Sequence, residues 1–196
     1  PMAIGEDTYV HCPGCQYSAN TEAVQVQRPA AIGFDGLPSA QVADTPDTPT
    51  IQTLVDLFND RTDLRRTDRA WTAADTLKNL VVMLRHPDGT STPLAIGVPG
   101  DREVDMKRLE AQVSPAEIEP FTEADFAKFP LLAKGYIGPG ALGEDKPSGI
   151  RYVVDPRIVD GTAWITGADA KNQHVMNLVA GRDFVADGVI EAAEVH

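Results

Sequence analysis

Cysteine is nearly missing from this chain: two of 196 residues, joined in Cys12-Pro13-Gly14-Cys15. Two thiols three positions apart cannot make the disulfide framework of a small secreted domain, so the sequence predicts a reducing, cytoplasmic setting. With His11 beside them they could begin a zinc site, but a structural zinc needs four ligands, usually from two such pairs. There is no second pair, and His86, His174 and His196 are distant in sequence. A hairpin turn accounts for the motif, and no metal is expected. Also missing is any apolar run approaching the ~18 residues of a membrane span, and nothing at the N-terminus reads as a signal peptide. Basic residues are few, 17 Lys and Arg against 29 Asp and Glu, for a net charge of −12. That excludes a free-standing, non-specific nucleic-acid binder. It does not exclude a domain that meets only the end of an RNA whose body is held elsewhere. No Gly-x-Ser-x-Gly elbow occurs, and no carboxylate pair stands out from the scatter of acids. An enzyme of this composition would act by positioning and polar stabilisation rather than through a covalent intermediate.

What is present is enough for a core, with 42% hydrophobic residues, and the length suits one globular domain. Asp7 to Cys12 and Tyr17 to Asn20 read as a hairpin around Pro13-Gly14. Residues 27–39, holding Pro29, Gly33, Gly36 and Pro38, read as a linker. Thr48 as N-cap and Pro49 at the first helical position introduce a helix whose inward face is Ile51, Leu54, Val55 and Phe58. A second helix is predicted from Thr72, leading into a buried strand from Asn79 to Leu84. His86 to Thr90 turn the chain, and Pro93 to Val98 pair back. A helix follows over Asp101 to Val113 with Val104 and Leu109 inward, then capped starts at Ser114 and Thr122. Strands are predicted at 150–154, 163–166 and 175–180. Helices and strands are intermixed, so the class is α/β or α+β around a mixed sheet.

Gly138-Pro139-Gly140-Ala141-Leu142-Gly143 spells G-x-G-x-x-G, the dinucleotide fingerprint. That fingerprint needs a helix opening through it. Here Glu144-Asp145-Lys146-Pro147-Ser148-Gly149 follows, a run of turn formers, and then a strand. It is a glycine-rich turn between elements. Three polar residues stand in apolar surroundings: Lys78 at the predicted helix-to-strand junction, Asp155 at the end of Tyr152-Val153-Val154, and His174 in a polar loop re-entering the fold. Taken one at a time, each has an ordinary explanation: a solvated lysine, a turn-capping aspartate and a satisfied histidine.

As a series these residues carry more. Cys15-Gln16-Tyr17-Ser18-Ala19-Asn20-Thr21-Glu22, Asp44-Thr45-Pro46 with Thr50-Ile51, Leu54 through Phe58-Asn59 and Thr76-Leu77-Lys78-Asn79-Leu80 come first. Gly100-Asp101, Gly138 through Gly143, Asp155, Gly167-Ala168-Asp169, His174 and Gly181-Arg182-Asp183-Phe184 complete it. In that order they resemble the editing insertion domain of bacterial prolyl-tRNA synthetases, which is related to free-standing aminoacyl-tRNA deacylases. The resemblance implies a mixed, largely antiparallel sheet flanked by helices, the aminoacyl-tRNA deacylase-like editing fold. It implies that residues 1–40 are a flanking hairpin and linker from the synthetase catalytic core, 41–185 the editing domain, and 186–196 the segment returning to the core.

The implied activity is hydrolysis of mischarged aminoacyl-tRNA(Pro), chiefly alanyl-tRNA(Pro). Lys78 would meet the terminal adenosine's phosphate or the ester's developing charge, Asp155 the α-ammonium, and His174 would line the amino-acid pocket. The backbone of Gly138, Pro139, Gly140, Ala141, Leu142 and Gly143 would hold the substrate or its oxyanion. No cofactor is implied for editing; ATP and magnesium belong to the parent's separate core. The implied partners are the tRNA(Pro) acceptor end and the synthetase core, with no membrane. The parent would be a homodimer, and the fragment's own state, monomer included, stays open. The pattern departs at Asn79, directly after Lys78, and over 60–75, which is rich in Arg and Asp. A non-catalytic insertion that binds the acceptor end or is purely structural, and a deacylase for cysteinyl-tRNA(Pro), are the alternatives.

Overall fold

The computed structural model describes residues 9–21 and 23–195. Asp7, Thr8, Glu22 and His196, named above, lie outside the described residues. Strands β1 (Tyr9–His11) and β2 (Ser18–Asn20) form the expected antiparallel hairpin, closed where Gln16 N–H donates to the Cys12 carbonyl at 2.9 Å. His11 Nδ1 bonds Ser18 Oγ at 2.8 Å, and residues 27–39 hold no strand or helix. Strand β3 (Gln41–Asp44) then begins the body of the protein.

Helix α1 (Ile51–Asp60) buries Leu54, Val55 and Phe58 as its spacing requires, but its cap is Thr50 rather than Thr48. The reason is reciprocity: Thr53 N–H donates to Thr50 Oγ1 and Thr50 N–H to Thr53 Oγ1, both at 3.1 Å. Thr48 turns its hydroxyl to the Thr45 carbonyl instead, at 2.8 Å. The helix predicted from Thr72 is one 3-10 turn, Ala73–Asp75, because β4 (Leu77–Arg85) pairs with β5 (Ser91–Pro99) over nine residues and takes Leu77 and Lys78 into the sheet. Lys78 is therefore a strand residue. Helix α2 (Met106–Val113) starts later than predicted, since the Asp105 carboxylate accepts from the Lys107 and Arg108 N–H groups and sets the first turn there. Ser114 opens no helix: β6 (Glu117–Pro120) follows and pairs along β4. The one-turn α3 (Glu123–Phe126) is capped by Thr122.

Strands β7 (Arg151–Val154), β8 (Ala163–Gly167), β9 (Gln173–Val179) and β10 (Gly188–Val189) complete the chain. His174 sits within β9, between Ala43 of β3 and Gly167 of β8, and not in a loop. One sheet runs β10-β7-β5-β4-β6 and the other β3-β9-β8. The β5–β7 and β7–β10 pairs are parallel and the rest antiparallel, which is the mixed, largely antiparallel sheet expected. Alternation along β4 sends Leu77 and Val81 to one core and Val82 and Leu84 to another, where Leu109 of α2 is fully buried. A third core joins α1 and Trp71 to Ile165 and Met176. The sheets meet where Thr76 bridges Ile165. Among the described residues no helix is long and apolar enough to cross a membrane.

Arg108 is 2% exposed and ties the segment after the β1–β2 hairpin and the segment after β10 to α2. Its guanidinium donates to the Thr21 carbonyl at 2.5 Å and to the Glu191 carbonyl at 3.2 Å, and pairs with the Glu191 carboxylate at 3.4 Å. Arg108→Met keeps the stem and strands those acceptors. A loss of about 2 kcal/mol is expected, read as a fall of about 5 °C in Tm. A Tm within a degree of the parent's would show that the clamp adds nothing to stability.

Candidate active site

Where the two sheets meet, the start of α1, the start of β4, the end of β8 and the start of β9 enclose a cavity of about 240 Å³. This is below the roughly 300–1,000 Å³ of sites for drug-sized ligands, so a small group fits it. Its apolar wall comes from Ile51, Leu54, Leu77, Ile137 and Ile165, and its polar residues include Lys78, Asn79, Thr166 and His174. Two of the three catalytic candidates, 96 positions apart in sequence, thus share one cavity.

Lys78 is carried there by its pairing with Val98. Its ammonium donates to Glu103 Oε1 at 2.7 Å; the lysine side chain is 27% exposed and the glutamate 74%. A pair this open to water holds the ammonium weakly, and an incoming anion can displace it. His174 is buried, and burial pushes its imidazole down to about 4, so it is neutral at pH 7. Nδ1 lies 2.6 Å from Oγ1 of Thr45, which is fully buried and, among the described residues, has no other partner for that hydroxyl. Donation from the hydroxyl to Nδ1 satisfies the buried proton, whereas the reverse strands it. The ring proton then resides on Nε2, the nitrogen left for the cavity. The Tyr136 ring packs edge-on against the imidazole, 5.5 Å between centroids.

Asp155 and the glycine turn are placed differently. Asp155 is buried at the end of β7, and neither it nor residues 138–143 line the cavity. Its carboxylate accepts from Arg157 N–H at 2.9 Å and from the Arg157 guanidinium at 3.0 Å. Burial raises it, against the pull of Arg157. The glycine turn closes around Asp169, whose carboxylate accepts from Gly138 N–H at 2.7 Å and Ala141 N–H at 3.1 Å. With Leu142 N–H on the Pro139 carbonyl and Gly143 N–H on the Ile150 carbonyl, four of the turn's backbone donors are already engaged. Glycine is required for this approach: a Cβ on Gly138 would sit 2.0 Å from the Gly167 carbonyl oxygen, and one on Gly140 2.8 Å from Asp169 Oδ2. Burial pushes Asp169 up to about 6, the two N–H groups only partly offsetting it.

The Arg- and Asp-rich segment folds onto itself, with Arg61 on Asp63, Arg66 on Asp68 and over the Trp71 ring, and Arg69 on Asp75. Among the described residues no three His, Cys, Asp or Glu side chains gather where they could hold a metal ion. Sequence reading did not single out Thr45, Thr166 or Asp169 as site residues. The threonines carry no periodic signal. Asp169 belongs to the Gly167-Ala168-Asp169 segment that carries the resemblance, but nothing in the sequence ties its carboxylate to the glycine turn.

The aminoacyl-tRNA editing domain family matches residues 45–184. A proline–tRNA ligase of Kineococcus radiotolerans is 69% identical over 195 residues, covering 100% of this chain and 33% of that protein. A proline–tRNA ligase of Cutibacterium acnes is 62% identical, covering 98% of this chain and 32% of its own length. The chain thus spans about a third of the length of the curated relatives it matches. The crystal structure of hypothetical protein APE2540 is similar with a TM-score of 0.55, over 80% of this chain and 92% of that one. At 14% identity that likeness is one of fold.

Proposed function

Because the chain belongs to the aminoacyl-tRNA editing domain family, we propose that it serves a proline–tRNA ligase by hydrolysing wrongly charged tRNA(Pro), chiefly alanyl-tRNA(Pro). The observation that carries this reading is the meeting of Lys78 and a neutral His174 on one small cavity with an apolar wall. A proline activation pocket cannot firmly reject a smaller amino acid, since missing methylenes are worth only about 1–3 kcal/mol. A second site that admits only the small error removes it.

In this reading the alanyl group enters the cavity with its methyl against Ile51 and Leu54. The ribose and phosphate stay at the mouth, where the Lys78 ammonium exchanges Glu103 for the anion. The Nε2–H of His174 donates to the ester and limits the side chain that fits. An aminoacyl ester is already activated, so an ordered water suffices. Its oxygen bonds to the carbonyl carbon, the bond to the ribose oxygen breaks, and the water's proton ends on the released hydroxyl. A histidine protonated on Nε2 and bound to Thr45 through Nδ1 orients the ester and does not act as a base. Asp155, engaged with Arg157, serves by holding the end of β7. The acceptor stem and the synthetase core are the partners in this reading, and the chain's acidity suits a domain that leaves the grip on the RNA to that core.

The test is single-turnover hydrolysis of alanyl- and prolyl-tRNA(Pro) by this chain and by the synthetase that carries it. Alanine loss at least about 100-fold faster than proline loss is expected, since excluding proline's extra ring carbons from so small a cavity is worth about 10–200-fold for each methylene. Equal loss of both, or of neither in the whole synthetase, rejects the reading. Faster loss of cysteine than of alanine would reassign the substrate.

A further inference from the structure

We propose that the hydroxyl of Thr166 donates a hydrogen bond to the ester carbonyl oxygen of the substrate, and that Asn79 holds it in that role. This rests on the hydrolase reading above and adds a substrate-contacting residue and a positioning residue to it.

Asn79, the departure that follows Lys78, is fixed from both ends. Its Nδ2 donates to the Ile137 carbonyl at 2.9 Å and to Thr166 Oγ1 at 3.1 Å, which uses both amide protons. Its Oδ1 accepts from the Tyr152 hydroxyl at 2.8 Å. A carbonyl can only accept, so Ile137 assigns the amide nitrogen to its side. Tyr152 is fully buried, and desolvation raises its phenol far above the usual value, so it keeps its proton and donates. Gly97 makes room for this arrangement: a Cβ there would lie 2.5 Å from the Tyr152 oxygen.

Thr166 must therefore accept from Asn79, and the proton on its own oxygen is left over. Among the described residues that proton has no protein acceptor, although Thr166 is 2% exposed and lines the cavity. A buried donor without an acceptor is costly, and the cost is recovered when the cavity fills with one. Within an aminoacyl ester the α-ammonium cannot accept, and the carbonyl oxygen is the acceptor that gains charge as water attacks. Gly138 and Ala141 of the glycine turn have already spent their N–H groups on Asp169. The side chain of β8 supplies the donor that those two cannot.

The experiment compares the parent chain with Thr166→Val, which keeps the shape without the hydroxyl, and Thr166→Ser, which keeps the hydroxyl. Maximal single-turnover rates and half-saturating concentrations on alanyl-tRNA(Pro) are measured. Binding of 3′-alanylamino-3′-deoxyadenosine, which cannot be hydrolysed as an ester, is measured by calorimetry. The valine variant is expected to lose about 100-fold in maximal rate, with half-saturation raised by no more than about tenfold and melting temperature little changed. The serine variant should return to within about threefold of the parent, because the donor is restored. A valine variant at parental rate, a serine variant as slow as valine, or a loss confined to half-saturation overturns the proposal. A parent that binds the analogue without hydrolysing the ester rejects the hydrolase reading alone. Thr166 as donor then stands on about tenfold weaker analogue binding in the valine variant, restored by serine, and falls without it. A parent that does neither overturns both.

Discussion

Lys78→Ala should lower the single-turnover hydrolysis of alanyl-tRNA(Pro) by about 100-fold, because the phosphate at the mouth loses the cation that holds it and the ester is no longer set in line for attack. Three structural facts set that expectation. The lysine is held by strand pairing opposite Val98, so its stem is not free to wander. It shares its cavity with His174, the residue proposed to orient the ester. Its partner Glu103 is 74% exposed, so the ammonium can transfer to substrate at little cost. For the same reason the fold should not notice the change, and Tm should stay within about 2 °C, an exposed pair being worth roughly 0–1 kcal/mol. Lys78→Arg should recover only a part, since a planar fork cannot replace a compact ammonium at a narrow mouth. Residual activity within tenfold of the parent in the alanine variant would remove Lys78 from the chemistry and leave the cavity to bind only.

The second large effect is on stability against pH. His174 is pushed down to about 4 and Asp169 up to about 6, both chiefly by burial. The signs oppose each other. Below the ordinary histidine value near 6.5 the unfolded chain binds a proton that native His174 refuses, so acidification to pH 4 costs stability. Over nearly the same window native Asp169 takes up a proton that the unfolded chain declines, so acidification restores stability; Asp155, also raised, acts on that side. Each group contributes a slope of at most about 1.4 kcal/mol per pH unit. Asp169→Asn removes one arm of the balance. Relative to the parent, the variant should become progressively less stable between pH 7 and 4, by up to about 3 kcal/mol. His174→Gln should do the reverse and gain on the parent as pH falls. Carboxylates held low, such as Asp125 at about 2, are ionised in both states through most of this window and blur it only near its acid end. Urea melts at each half unit of pH decide the matter. An Asp169→Asn difference that is constant with pH would show that the carboxylate is not raised at all.

Local signals carried much of the fold. Apolar spacing placed α1, and β-rich runs placed β4, β5, β7 and β8, because those patterns follow from which face each residue must bury. Where prediction and structure part, a pairing partner distant in sequence decides. The helix expected from Thr72 yields to nine residues of β5, Ser114 begins a connection to an edge strand, and His174 joins β9 because Ala43 and Gly167 are there to flank it. Neither β3 nor β10 had a period to betray it. In the site, Lys78 and His174 could be named by resemblance, and the cavity lines them up together. The partners that define their chemistry could not. Thr45 supplies a single hydroxyl 129 positions from the imidazole it touches, and Asn79 reaches 87 positions to Thr166. Nor does the spelling of Gly138 to Gly143 reveal that two of its N–H groups already serve an internal carboxylate.

The clamp made by Arg108 has a topological consequence. It holds the Thr21 carbonyl and both the carbonyl and the carboxylate of Glu191, while Val26 N–H donates to that carboxylate at 3.2 Å. A chain that comes in at Thr21 and goes out at Glu191 therefore passes twice through one doorway, with some 170 residues folded beyond it. To any longer polypeptide around it, the whole domain costs no more reach than a tight turn. Within such a polypeptide the gap between Thr21 and Glu191 is bridged by one guanidinium, and closing a short gap asks little entropy.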